Sequence, residues 1–271
     1  MLDKILHKNL KIPYLLNFQT LCSGRRSKGT IIFLHGIASS LGVWKDAINE
    51  VGDNFDILTV DLIGHGHSPS PEWHGSQTLS AQARAVARTM LHTRSIKKPI
   101  FIVGHSMGSL VAVEFAKKYP FLVNQIILLS PPIYREKLSK QIAQERLLKK
   151  GYQDIVENPE KSFDFVNLVI KMGLVDVKPI KDTKYFDNLR ESLQTAIVEQ
   201  DTYAVLSKIK TRTKIIYGAL DPVVIGRTIR NLGRKNRNIT TTRVLASHDP
   251  TKTMIKEVHK SINKFIKEKN G

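Results

Sequence analysis

Three short runs of this sequence, Ile31-Ile32-Phe33-Leu34, Ile100-Phe101-Ile102-Val103 and Ile126-Ile127-Leu128-Leu129, are apolar at every position. Successive residues of a strand point to opposite faces, so a strand with one wet face alternates in polarity. Unbroken apolar runs belong to strands covered on both sides, as in parallel sheets flanked by helices. The chain therefore reads as α/β, a mostly parallel sheet with helices on its faces. Strands are expected at 30–34, 55–60, 100–103, 125–129, 214–217 and 241–245, with one or two more within 11–21. Helical patterns fall at 44–51, 80–92, 107–119, 223–232 with Gly233 as the stop, and 251–267. A length of 271 residues suits one large α/β domain, with or without an insertion.

Between Leu129 and Lys214 the alternation of strands and helices lapses for about eighty residues, too long for a loop in a compact domain. Apolar residues recur there at helical spacing: Leu138, Ile142 and Leu147, then Phe163, Val166, Val169 and Ile170, then Phe186, Leu189, Leu193 and Ile197. Residues 131–208 are expected to form a helical cap inserted into a core made of 1–130 and 209–271. An insertion of this kind beside a site commonly acts as a lid.

The second apolar run ends in Gly104-His105-Ser106-Met107-Gly108, directly before the helical pattern that begins near Met107. A strand, a sharp turn and a helix form the setting of a nucleophile elbow, which lifts a serine hydroxyl clear of the sheet. The turn strains the serine backbone, and neighbouring chain comes too close for side chains at Gly104 and Gly108. A serine hydroxyl is a weak nucleophile at neutral pH and requires a base, a group that orients the base, and donors for the oxyanion. His248, three residues past the last strand, is the expected base; Asp221, four residues after Tyr217, is the expected acid, in the chain order Ser106, Asp221, His248. Asp221 before Pro222 also has the form of a helix N-cap. Asp249 adjoins His248 but should point elsewhere, and Ser130-Pro131-Pro132, after the strand that follows the nucleophile helix, carries no carboxylate. His7, His74, His92 and His259 lack supporting context. The backbone NH groups of Met107 and Ile37 are the expected oxyanion donors, with Gly36 allowing the turn and His35 bracing the loop.

These residues resemble the α/β-hydrolase fold superfamily, in its lid-bearing branch of esterases, lipases and related small hydrolases, over nearly the whole chain from Thr30 to Lys267. Asp61 to Ser68, DLIGHGHS, is similar to a structural loop of that family, with His67 where an arginine is common. The resemblance implies that 131–208 shapes the substrate pocket. It also implies that neither His65 nor His67 is catalytic. A serine at position 106 excludes the epoxide-opening and halide-displacing chemistry that relatives with an aspartate nucleophile perform, and leaves acyl transfer to water. A carboxylesterase acting on small or medium acyl esters is the expected activity, with no cofactor or metal. The same residues admit a monoacylglycerol lipase, a thioesterase, a lactonase, a carbon–carbon bond hydrolase or a cofactor-free perhydrolase; a non-catalytic ligand-binding protein is the alternative of another class. Phe163, Phe165, Met172, Phe186 and Leu189 are candidates for the pocket wall, with core packing within the cap the expected role of most of them.

A single cysteine, Cys22, allows no intrachain disulfide and suits a reducing compartment. The opening MLDKILHKNL carries charge in every turn, unlike the apolar core of a signal peptide, and no run is long enough to span a membrane. A cytoplasmic location is expected. The net charge of +18 is concentrated toward the end of the sequence, with +6 in 1–130, +2 in 131–210 and +10 in 211–271. Arg227, Arg230 and Arg234 share one side of a helix, followed by Lys235 and Arg237. No aromatic residues interleave with them as a base-stacking platform requires, so nucleic acid is not expected. An acidic carrier protein or an anionic membrane surface is the partner such charge suits.

Overall fold

Every residue of the run Thr30–Leu34 is buried, and its side chains divide between two separate cores. The computed structural model describes residues 2–24, 27–51, 54–93, 96–135, 142–158 and 183–270. Seven strands, β1 (Phe18–Leu21), β2 (Thr30–Leu34), β3 (Asp56–Val60), β4 (Ile100–His105), β5 (Gln125–Leu129), β6 (Arg212–Gly218) and β7 (Ile239–Val244), make one sheet in the order β1-β3-β2-β4-β5-β6-β7. Only β1 is antiparallel to its neighbour. One of the two possible early strands has formed, and the other expected strands are present with small shifts at their ends.

On one face Ile32, Leu34, Ile102, Ile126, Leu128 and Ile215 pack beneath α2 (Leu79–His92) and α3 (Met107–Lys118). On the other, Ile31, Phe33, Phe101, Val103, Ile127 and Leu129 meet Trp44, α1 (Lys45–Val51) and the last helix. Each fully buried Ile, Leu or Phe contributes about 1.5–3 kcal/mol, so the unbroken apolar runs supply two cores at once.

The chain leaves β3, passes β2 and returns as β4, so β2 and β4 lie side by side with their carboxyl ends together. Such a switch in strand order leaves a crevice where the following loops diverge. The loop after β2 and the serine turn after β4 both begin at this switch point.

Between β5 and β6 stand α4 (Ala143–Glu157), α5 (Thr183–Ser192), a π-helical turn (Leu193–Val198) and α6 (Thr202–Lys208); α7 (Gly226–Lys235) and α8 (Lys252–Asn270) complete the chain. Leu189, Leu193 and Ile197 are buried as their spacing predicts, and Phe186 is half-buried against them. Leu147 is 72% exposed, contrary to expectation. Leu148, Tyr152, Ile155 and Val156 form the packed side of α4. Buried Glu145 sets that rotation, its carboxylate accepting the Thr228 hydroxyl of α7 at 2.7 Å. Leu138, Phe163, Phe165, Val166, Val169, Ile170 and Met172 lie outside the described residues.

Two expectations about α7 are corrected. The helix begins at Gly226 rather than Val223, because the Asp221 carboxylate accepts the NH groups of Val223 (2.9 Å) and Val224 (3.1 Å) and holds them in a turn. It runs through Gly233 to Lys235. A Cβ on Gly233 would sit 3.1 Å from Thr241 Cγ2, so this glycine serves close approach to β7. Asn236 ends the helix in extended conformation, its side-chain amide donating to the carbonyls of Leu206 (3.0 Å) and Ile209 (2.9 Å).

Candidate active site

Ser106, between β4 and α3, has φ 50° and ψ −119°, a conformation a non-glycine residue adopts only under constraint. The constraint is backbone contact. A Cβ on Gly104 would overlap the Gly108 carbonyl, and one on Gly108 would overlap the carbonyl oxygens of Leu34 and His35 at the end of β2. Both glycines are thus required by the packing of the turn on itself and on the neighbouring strand. The serine NH donates to Leu129 O at 2.9 Å, which fixes the turn to β5 as well.

The structure brings Ser106, Asp221 and His248 together from the ends of β4, β6 and β7. His248 Nδ1–H donates to the Asp221 carboxylate, at 2.9 Å to Oδ2 and 3.0 Å to Oδ1. That leaves Nε2 bare, 3.1 Å from Ser106 Oγ, to accept the hydroxyl proton. All three side chains are buried. Burial pushes the Asp221 carboxyl up, but the hydrogen bond and charge of His248, with the Val223 NH, outweigh it and hold the group below the usual carboxylate range. The aspartate is therefore ionised at neutral pH, the form that orients an imidazole and stabilises its cation.

The loop after β2 runs beside the serine. A Cβ on Gly36 would lie 3.1 Å from His105 Nδ1 and 3.2 Å from Ser106 Cβ, so glycine eases the close passage of the loop beside the serine. Two residues on, Ala38 takes a positive φ of 57°. His35 braces this loop: its Nε2 accepts Leu62 NH at 2.9 Å and its Nδ1–H donates to Gly36 O at 2.7 Å. Burial lowers the His35 pKa, keeping it neutral. Neither Ile37 NH nor Met107 NH has an acceptor among the described residues.

The DLIGHGHS segment is knit to the same loop by one carboxylate. Asp61 accepts Leu41 NH at 2.7 Å, His67 NH at 2.9 Å and the Asn17 amide at 2.7 Å. A Cβ on Gly66 would overlap that carboxylate, so the loop closes around it. His67 is exposed; His65 is buried, and burial lowers its pKa to about 3. Asp249 lines a cavity of about 400 Å³ with Trp44, Ala47, Glu50, His105 and Lys252, and the His248 ring bonds Asp221 in its place. His74 pairs with Glu191 at 3.0 Å, and His7, His92 and His259 lie outside this constellation.

One participant, His105, has no place in the sequence reading. Its Nε2–H donates to the backbone carbonyl of His248 at 2.9 Å, tying the histidine loop to the strand that carries the serine. Burial, and then the neighbouring His248, lower its pKa to about 3, so it adds no second positive charge. A signal was available. Strand parity places His105 with Phe101 and Val103, where an apolar residue would be the rule.

Residues 29–164 match the model of the alpha/beta hydrolase fold family. The chain is 28% identical over 125 residues to a probable lysophospholipase, BODYGUARD 2, of Arabidopsis thaliana, covering 44% of this chain and 26% of that protein. It is 31% identical over 112 residues to Protein ABHD8 of Mus musculus, covering 41% and 25%. The match thus spans about a quarter of the length of each of these relatives. A thermophilic esterase from Thermogutta terrifontis superposes with a TM-score of 0.68 at 19% identity, covering 93% of both chains. An esterase from Exiguobacterium antarcticum does so with a TM-score of 0.69 at 14% identity, covering 94% of this chain and all of the other. At such identities the likeness is one of fold. Among the described residues no helix is long and apolar enough to cross a membrane.

Proposed function

We propose, from the premise that this chain belongs to the α/β-hydrolase fold family, that it is a serine hydrolase cleaving carboxylic esters of small or medium acyl chains. The observation that carries this reading is the hydrogen-bonded series from Asp221 through His248 to Ser106, at 2.9 and 3.1 Å. Ser106 Oγ attacks the ester carbonyl as its proton passes to His248 Nε2. Asp221 stabilises the imidazolium, and the Ile37 and Met107 NH groups receive the oxyanion. The Met107 NH stands at the start of α3, where the helix dipole adds to its pull. His248 then returns the proton to the departing alcohol, and water, activated by the same imidazole, releases the acid and regenerates the serine. The nucleophile's reactivity comes from its base rather than from an unusual serine.

His105 is a positioning residue in this scheme, because the carbonyl it holds belongs to the base itself. On this reading the helices described between β5 and β6 serve as the cap that sets which acyl and alcohol groups enter. The test is covalent labelling with a fluorophosphonate together with a series of p-nitrophenyl esters from acetate upward. Labelling confined to Ser106, abolished in Ser106→Ala, and turnover greatest for short or medium chains are the expected results. An unlabelled wild-type chain without turnover overturns the reading.

A further inference from the structure

The segment from Leu2 to Ile12 packs on the domain in an inverted sense. A surface helix of a globular protein turns its apolar side chains to the core and its polar ones to water. Here the contacts with the body are polar and aromatic. The hydroxyl of buried Tyr14 donates to Asp3 Oδ2 at 2.9 Å, and its ring stacks on the His7 imidazole with centroids 3.7 Å apart. His7 Nδ1–H donates to Ile12 O at 2.6 Å, closing the π-helical turn Lys4–Asn9 onto the chain that follows it. Arg84 and Arg88 of α2 donate to the carbonyls of Lys11 and Pro13, and Lys8 Nζ lies 5.9 Å from the Trp73 ring centroid. Four of the five apolar side chains face outward, Leu2 68% exposed, Leu10 63%, Ile5 43% and Ile12 39%, and Leu6 is half-buried. Exposed Lys4, Lys8 and Lys11 interleave with them, and none forms an ion pair among the described residues.

We propose that this segment docks the protein on an anionic lipid surface, its leucines and isoleucines entering the headgroup and acyl boundary while the three lysines meet lipid phosphates. Membrane attachment of this strength requires two signals together, buried apolar area and positive charge, and the segment carries both. Its net charge is positive, three lysines against the single carboxylate of Asp3, which accepts the Tyr14 hydroxyl on the side facing the body. The outward residues form a ridge of separate side chains interrupted by lysine. A bilayer accepts such a ridge without a complementary groove. The chain's net charge of +18 draws the whole molecule toward the same surface. The inference is independent of the chemistry at Ser106.

The experiment is flotation of the full chain with vesicles of phosphatidylcholine alone and of phosphatidylcholine mixed with phosphatidylglycerol, at low and high salt. Two variants accompany it, Leu2→Ser/Ile5→Ser/Leu10→Ser and Lys4→Gln/Lys8→Gln/Lys11→Gln. Wild type should float with the mixed vesicles at low salt and not with phosphatidylcholine alone, and the lysine variant should bind on the order of 100-fold more weakly. The serine variant should stay in solution at every salt concentration. Wild type left in solution at low salt, equal binding to both vesicle types, or undiminished binding by the serine variant overturns the proposal. So does a concentration-dependent dimer that the serine variant abolishes, since a second copy would then be the occupant. Fluorophosphonate labelling of the same samples separates the two ideas: both variants should label as wild type does, and vesicle binding without labelling would sink the hydrolase reading alone.

Discussion

At Ser106 the backbone is wedged: the carbonyls of Leu34, His35 and Gly108 press on positions where only hydrogen fits, and the serine takes up a left-handed conformation in consequence. Near Asp221 and His248 exclusion acts only on the adjoining backbone, where a Cβ on Gly218 would overlap the carbonyl oxygens of Ala246 and Ser247, and not on the two residues themselves. Those side chains are placed by hydrogen bonds, from Val223 and Val224 to the acid and from His105 to the carbonyl of the base. One half of the site is held by steric exclusion, which yields little and fails abruptly. The other half is held by directional contacts, each worth about 0.5–1.5 kcal/mol, which weaken by degrees.

The largest effects should fall on the chemistry the two halves share. Ser106→Ala and His248→Ala are each expected to lower kcat by on the order of 10⁶, and the double variant by no more than either, because the groups act as one unit. A multiplicative loss in steady-state kinetics would show that they work separately. Asp221→Asn should leave the fold intact and lower kcat by on the order of 10⁴, because the amide favours the wrong imidazole tautomer. Circular dichroism and ester turnover on one preparation decide this.

The wedge itself is probed by Gly108→Ala. Its methyl must displace the end of β2, and a loss on the order of 3 kcal/mol in urea unfolding is expected. An unchanged midpoint would show that the turn yields after all.

Acid should expose another difference. His35, His65 and His105 are buried and neutral, with pKa values pushed down from 6.5 by burial, to about 3 for the latter two. Below about pH 6.5 the unfolded chain takes up protons that the folded chain refuses. Stability present above that pH is therefore lost as pH falls toward 3, at about 1.4 kcal/mol per pH unit for each such histidine. Urea midpoints measured from about pH 7 to pH 5 should decline accordingly, and a flat profile would mean that the rings protonate in place.

The smallest effect belongs to the directional half. His105→Leu should lower kcat about tenfold with little change in KM, since one hydrogen bond to the base is lost. His105→Gln, whose amide can donate to the same carbonyl, should recover most of it. Equal loss in both would assign His105 to packing alone.

The same division explains what could be read in advance. Gly104, Gly108 and the serine between them were legible because steric demands act on residue type: nothing but glycine satisfies them. The parallel sheet was legible for a related reason, since burial on both faces leaves no polar position in Ile31–Leu34 or Ile126–Leu129. Asp221 and His248 were reachable through chain order, and the structure brings them to Ser106. The rotation of α4 was not legible, because it depends on Glu145 meeting Thr228, 83 residues away. Nor was the end of α7, where Gly233 has the form of a stop but answers to Thr241 on the neighbouring strand. His105 was half legible: strand parity marks it as out of place beside Phe101 and Val103, but a hydrogen bond to a backbone carbonyl places no demand on the donor's identity and so left its role unread.

Gly108 rests against the last carbonyls of β2, the strand whose next residues run past Ser106. On the proposed function, attack and oxyanion binding are thereby indexed to one pair of adjacent strands, whereas the helices between β5 and β6 reach the core through contacts such as Glu145 with Thr228 and Asn188 with Gln77. A foreign insertion grafted at that junction should then rewrite selectivity and spare the reacting groups, provided it supplies new partners for Gln77 and Thr228.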